Sequence, residues 1–218
     1  TILISAVLLS LLDLFMPRQA SRTVLAWLSL AGIAISAAFV VHFIRVLNPG
    51  DGAGIDPIQL LNHSYRIDDF ANLFKLLILA GSALVIFMSI GSLKQEQIHH
   101  KGEYYYLFLP AILGAMIMTS SGDLITLFVG LELLGITSYI LVALRKMNRQ
   151  SNEAAFKYVV TGSIATAFTL YGMSFLYGMS GSTNLGEINS ALSAADPSFS
   201  AMMYISFFLL MTGLGIKI

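Results

Sequence analysis

Long, uninterrupted apolar runs dominate this chain and decide what it can fold into. Seven of them, at about 1–16, 23–47, 69–92, 103–120, 123–144, 154–179 and 199–218, approach or reach the length needed to cross a bilayer. About 20 helical residues, rising 1.5 Å each, span about 30 Å of hydrocarbon. The strands of a membrane β-barrel would instead be short and would alternate apolar with polar residues. These runs are long and continuous, so the sequence predicts an all-α, polytopic transmembrane helix bundle of about seven helices. The natural division falls between 1–102, holding the first three helices and their loops, and 103–218, holding the next four.

Composition agrees. Charged residues make up 11% of the chain and hydrophobic ones 56%, whereas a soluble domain needs about a quarter charged residues to solvate its surface. The mean hydropathy is +0.79. Twelve basic and twelve acidic side chains balance to zero, so nothing points to nucleic acid. With no Cys, the chain holds no disulfide, thiolate-bound iron–sulfur cluster or catalytic thiol. It opens inside an apolar run without an initiator Met and stops while the last run is still apolar, which predicts a fragment truncated at both ends. The first run is no secretory signal, since it lacks a basic leader and carries Asp13.

Lys and Arg are retained on the cytoplasmic side of a membrane. Arg18 and Arg22 follow the first run, Lys94 and Lys101 the third, and Arg145, Lys146 and Arg149 the fifth. The alternate connections "SSGD" and 181–197 contain no base. Arg45 and Arg66 flank the second connection, but four Asp residues accompany them. This parity predicts an N-terminus outside the cell. Tyr104, Tyr105 and Tyr106 sit where an interfacial aromatic belt would. His99 and His100 are adjacent in a polar loop rather than at a helical ligand spacing, and "GDGAG" at 50–54 lacks the strand–loop–helix setting of a phosphate cradle.

Five ionisable residues lie within the apolar runs: Asp13, Lys75, Glu132, Lys157 and Lys217. A charge at a helix centre costs about 2.5–3.5 kcal/mol on insertion scales, so such residues face protein, a partner or water. Glu132 lies about 14 Å along a helix beginning near Asp123, too deep for a carboxylate to reach the interface. In general, burial raises a carboxyl pKa and a nearby ammonium lowers it, so a Glu–Lys pair changes protonation when the Lys moves. The competing reading is a hydrogen bond that merely pins two helices together. Lys217 is the natural partner. A regular helix places it about 24 Å in, and Gly213 and Gly215 in "TGLG" would let that helix unwind near the midplane; otherwise Lys217 snorkels to the far interface. Lys157, about 5 Å into its run, and Lys75, about 9 Å into its own, both read as snorkelling. Asp13 reads as a local ion pair with Arg18.

Four stretches carry a resemblance: "LFVGLELLGITSYILVALRK" around Glu132, "SNEAAFKYVVTGS" with Lys157, "GMSFLYGMSGSTNL", and "TGLGIKI" with Lys217. Together with "GEYYYLFLPAILGAMIMTSSGDL" they resemble the subunit N family of bacterial NADH-quinone oxidoreductase, respiratory complex I, within the wider antiporter-like group shared with Mrp-type antiporters. The resemblance implies proton translocation through Glu132 and Lys217, with Lys157 at a basic position on the sixth helix, and it implies a seventh helix that is broken. It implies that quinone reduction elsewhere in the complex drives pumping. NADH, FMN, iron–sulfur clusters and quinone then belong to other parts of the assembly, with no cofactor, metal or catalytic site here. The implied partners are other membrane-arm subunits and the lipid of a bacterial plasma membrane. Most of the first inverted repeat is present and none of the second. Two other functions fit the residues: an Mrp-type Na+/H+ antiporter subunit, or a non-conducting scaffold in which Glu132 is structural.

Overall fold

The computed structural model describes residues 1–16, 23–47, 58–61, 63–92, 101–194 and 196–217. Arg18, Arg22, Lys94, His99, His100 and the "GDGAG" loop lie outside the described residues, and so does the Arg18 half of the expected pair with Asp13. Each of the seven apolar runs is a helix: α1 (Ile2–Phe15), α2 (Thr23–Leu47), α3 (Asp69–Ser92), α4 (Lys101–Thr119), α5 (Leu124–Val142), α6 (Arg149–Ser180) and, at the end, α8 (Ser200–Lys217). Between the last two lies a short helix, α7 (Leu185–Ser193), followed by a 3-10 turn over Pro197–Phe199. Five helices, α2, α3, α5, α6 and α8, are long and apolar enough to cross a membrane. The chain is a multi-pass, all-α membrane protein.

Helix ends follow from local chemistry. Asp123 caps α5, its Oδ1 accepting from the Thr126 amide at 2.6 Å, which satisfies one of the donors that a first helical turn leaves open. Asn148 accepts from the amides of Gln150 and Ser151, so α6 starts five residues before its apolar run and reaches 32 residues. It ends at Gly181, whose φ of 70° suits a residue without Cβ. Asn184 caps α7 in the same way, through the amides of Gly186 and Glu187.

Two structured pieces have no counterpart among the apolar runs. One is α7, in the connection expected to be a plain loop. The other is a hairpin of two three-residue strands, β1 (Ile58–Leu60) and β2 (Tyr65–Ile67). The hairpin is anchored by main-chain bonds from Arg66 N to Ser120 O, 2.8 Å, and from Gly122 N to Ser64 O, 2.9 Å. The α4–α5 turn in turn binds the segment before α7, through Leu124 N to Thr183 O and Leu185 N to Gly122 O. One end of the bundle is thereby stitched together by backbone.

α1, α2, α3 and α4 share one core, with Leu9, Leu25, Ile33, Leu79, Ile86 and Leu109 deep inside. A smaller core joins α5, α6 and α7 through Leu124, Met173 and Ile188. α4 packs against α1 and α3 on one side and closely against α5 on the other. Glycine permits that approach: a Cβ on Gly114 would lie 2.7 Å from the Gly130 carbonyl oxygen. Where lipid supplies no hydrophobic drive between helices, such small-residue contacts let backbones pack by van der Waals attraction.

Three expectations change. Of the three tyrosines expected at an interfacial belt, Tyr105 is instead buried in the first core, because α4 packs against α1, α2 and α3 there; Tyr104, stacked on Phe108 at 5.9 Å, and Tyr106 are partly exposed. Lys75 does not snorkel into open lipid; it is 5% exposed, beneath Tyr65 of the hairpin. Finally, α8 runs as unbroken helix through Gly213 and Gly215 to Lys217. Gly213 serves close packing instead, since a Cβ there would sit 2.8 Å from the Ala165 carbonyl oxygen of α6.

Candidate functional site: a buried Glu–Lys pair

α5, α6 and α8 bring three polar side chains to one point. Glu132 projects from the middle of α5, Lys217 is the last helical residue of α8, and Thr166 lies on α6. The Lys217 ammonium donates to Glu132 Oε1 and forms an ion pair with it. Thr166 Oγ1 lies 2.8 Å from the same oxygen. Their side chains are 13% exposed for Lys217 and 21% for Glu132, so protein shields most of the pair. A Lys side chain leans toward the N-terminus of its own helix, which lets Lys217 reach back to the depth of Glu132 without any break in α8.

The Thr166 hydroxyl also lies 3.0 Å from the carbonyl oxygen of Gly162, one turn earlier. A hydroxyl has one proton to donate. It therefore serves either the carboxylate or its own backbone, and its choice changes what holds Glu132. Beside the pair lies a cavity of about 300 Å³ whose polar lining includes Ser138, Tyr139, Tyr158, Thr161 and Lys217. Tyr139 and Tyr158 meet edge to face at 4.7 Å, and Tyr139 lies directly over Gly162, where any side chain would displace its hydroxyl. Space, hydroxyls and a charged pair in one place can hold water and pass a proton between neighbouring groups.

Of the three candidates drawn from the sequence, the structure joins two. Lys157 stands apart: its ammonium pairs with Glu153 at 2.7 Å on the same helix, and its side chain is 72% exposed. Nine residues separate it from Thr166, about 14 Å and two and a half turns, so it projects from the opposite side of α6. Thr166 carries no signal in the sequence because Ser and Thr in spanning helices ordinarily bond their own preceding turn. Here Ser138, Thr161 and Thr169 do so. Only the packing of α5 on α6 turns Thr166 toward a carboxylate.

Fold and site together define a multi-pass helical membrane protein with a shielded Glu–Lys pair bridging α5 and α8. Residues 121–218 match the family described as NADH:quinone oxidoreductase/Mrp antiporter, transmembrane region. NADH-quinone oxidoreductase subunit N of Paenibacillus sp. (strain JDR-2) is 48% identical over 213 residues, 94% of this chain and 41% of that protein. The subunit N of Brevibacillus brevis is 50% identical over 98% of this chain and, again, 41% of its own length. Among solved structures, a chain of respiratory complex I from Thermus thermophilus, determined with bound aureothin, superimposes with a TM-score of 0.71 at 29% identity, covering 98% of this chain and 42% of that one. The chain belongs to the family of NADH-quinone oxidoreductase subunit N, and it spans about two fifths of the length of the relatives it matches.

Proposed function

We propose that this chain is part of a proton-translocating membrane-arm subunit of NADH-quinone oxidoreductase, seated in a bacterial plasma membrane with its N-terminus outside. The observation that carries the proposal is the Glu132–Lys217 ion pair, shielded between α5 and α8 and backed by Thr166. A shielded ion pair persists only while both members stay close. Moving the ammonium away leaves a carboxylate that is costly to keep charged, and taking up a proton relieves that cost. A charge displacement arriving from a neighbouring subunit can thus be converted into proton uptake, and return of the ammonium into release.

In this reading the residues at 103–218 form the conducting unit and those at 1–102 brace it. Lys157 acts at the water-exposed entrance on the side of Arg149. The chain binds no NADH, FMN, iron–sulfur cluster or quinone of its own; these act in the other subunits, and the redox change reaches Glu132 only through movement of charge. The homology with named subunit N proteins supports the redox-driven complex over a free-standing Mrp-type antiporter.

The test uses the complete subunit assembled in its complex, in sealed vesicles. Adding NADH is expected to acidify the lumen at the same rate in sodium-containing and sodium-free buffer. Flux that requires sodium and proceeds without NADH would replace this function by Na+/H+ exchange.

A further inference from the structure

Glu132 and Lys217 meet across a seam in the bundle. α5 packs closely against α4 and α6 closely against α8, whereas α5 and α6 touch more lightly, so the ion pair joins two tightly packed helix pairs. Whatever fixes α6 against α5 therefore sets the surroundings of the pair. At one end of the seam Leu124 and Met173 share an apolar core, and at its middle Thr166 donates to Glu132 at 2.8 Å. Toward the α5–α6 turn the contact is of another kind, an aromatic ring set into a notch.

Tyr139 lies seven residues beyond Glu132 on the same face of α5, about 10 Å along the axis, and its side chain leans back by about one turn. There its hydroxyl passes over Gly135, a Cβ on which would lie 3.3 Å away, and comes to rest against Gly162 of α6. A Cβ on Gly162 would meet that hydroxyl and would lie 2.6 Å from Cζ and 3.0 Å from Cε1, so the ring as well as its oxygen fills the notch. Tyr158, one turn before Gly162, holds the ring edge to face at 4.7 Å. One turn after Gly162 comes Thr166, whose hydroxyl can donate to Glu132 or to the Gly162 carbonyl. About 6 Å along the axis separates the Tyr139 tip from Glu132 on α5, and the same distance separates Gly162 from Thr166 on α6. One register of the two helices satisfies both contacts. We propose that Tyr139 is a positioning residue for the Glu132 site: seated in the Gly162 notch, its ring holds α6 in the register at which Thr166 donates to Glu132 rather than to its own backbone. This role rests on the reading of Glu132 as the group that exchanges the proton, and it acts on Glu132 through Thr166.

The test uses the complete subunit assembled in its complex, in sealed vesicles, with NADH-driven acidification set against complex abundance. Tyr139→Ala, which empties the notch, should lower acidification about three- to tenfold at constant abundance, as far as Thr166→Val does. Tyr139→Phe leaves the ring in place and should keep about half or more of the wild-type rate. Tyr139→Ala combined with Thr166→Val should fall no further than either change alone, since both remove one interaction. An equal loss in Tyr139→Phe would overturn the proposal by making the hydroxyl itself the active group. So would losses that multiply in the double variant, or abundance that falls in step with acidification, which would leave the ring a packing residue alone. Glu132→Gln, measured alongside, separates this role from the reading beneath it. If that variant abolishes acidification and Tyr139→Ala does not lower it, the positioning role alone fails; if Glu132→Gln pumps undiminished, both fail.

Discussion

The two halves of the bundle bury a lysine in opposite ways. On α8, Lys217 meets Glu132 and Thr166 inside the protein. On α3, Lys75 is still more enclosed, and its ammonium lies over the face of the Tyr65 ring, with no ion pair among the described residues. A cation paired with a carboxylate from another helix is a contact that movement of either helix would part. The same residue type is thus enclosed beside a carboxylate in one half and beside an aromatic ring in the other, and the packing of neighbouring elements decides which.

Packing around Lys217 offers the hardest way to break this comparison. Gly213→Ala pushes a Cβ against the α6 backbone at Ala165 and Thr169 and should cost about 1–3 kcal/mol, read as a lower melting temperature of the purified complex and loss of both activities. Gly215, with nothing within 4 Å of its would-be Cβ, should accept Ala with no loss. If Gly215→Ala were as damaging as Gly213→Ala, α8 would need to unwind during turnover.

Next in size come the lysines. Lys217→Arg should lower NADH-driven acidification by about tenfold or more, since a planar guanidinium cannot replace a compact ammonium in a shielded pair. Lys157→Arg, exposed and paired only within its own helix, should change the rate by less than about twofold. The reverse ranking would move the proton path to the exposed side of α6. A smaller effect is expected at Thr166→Val, which keeps shape and removes one donor to a charged group; acidification should fall about three- to tenfold while complex abundance stays constant. Unchanged pumping would make the hydroxyl a backbone ligand of Gly162 alone. Smallest is Asp123→Ala, which removes the α5 cap and should cost about 1 kcal/mol of thermal stability without changing the pumping ratio.

What could be read in the sequence and what could not divides along physical lines. Run length gives the number of helices, so all seven runs returned as helices. Depth along a run gives the cost of a charge, so Glu132 and Lys217 stood out before any contact was known. Neither quantity says which face of a helix meets protein. That is why Lys75 read as a snorkelling residue, Tyr105 as an interfacial one, and Gly213 as a break rather than a contact. The hairpin was illegible for another reason. Its strands have three residues each, too few for a periodic pattern, and backbone bonds to the α4–α5 turn hold them. α7 was hidden because its nine residues "LGEINSALS" are largely polar and small, and only the Asn184 cap announces it.

The most direct test of the central claim is Glu132→Gln in the complete subunit, assembled in its complex and sealed into vesicles, with NADH oxidation and lumen acidification followed together. The account predicts that acidification is lost while the complex remains assembled, because Gln keeps the size and the hydrogen bond but cannot exchange a proton. Undiminished acidification would contradict it, and Glu132 would then be a structural tie between α5 and α8 in a non-conducting scaffold.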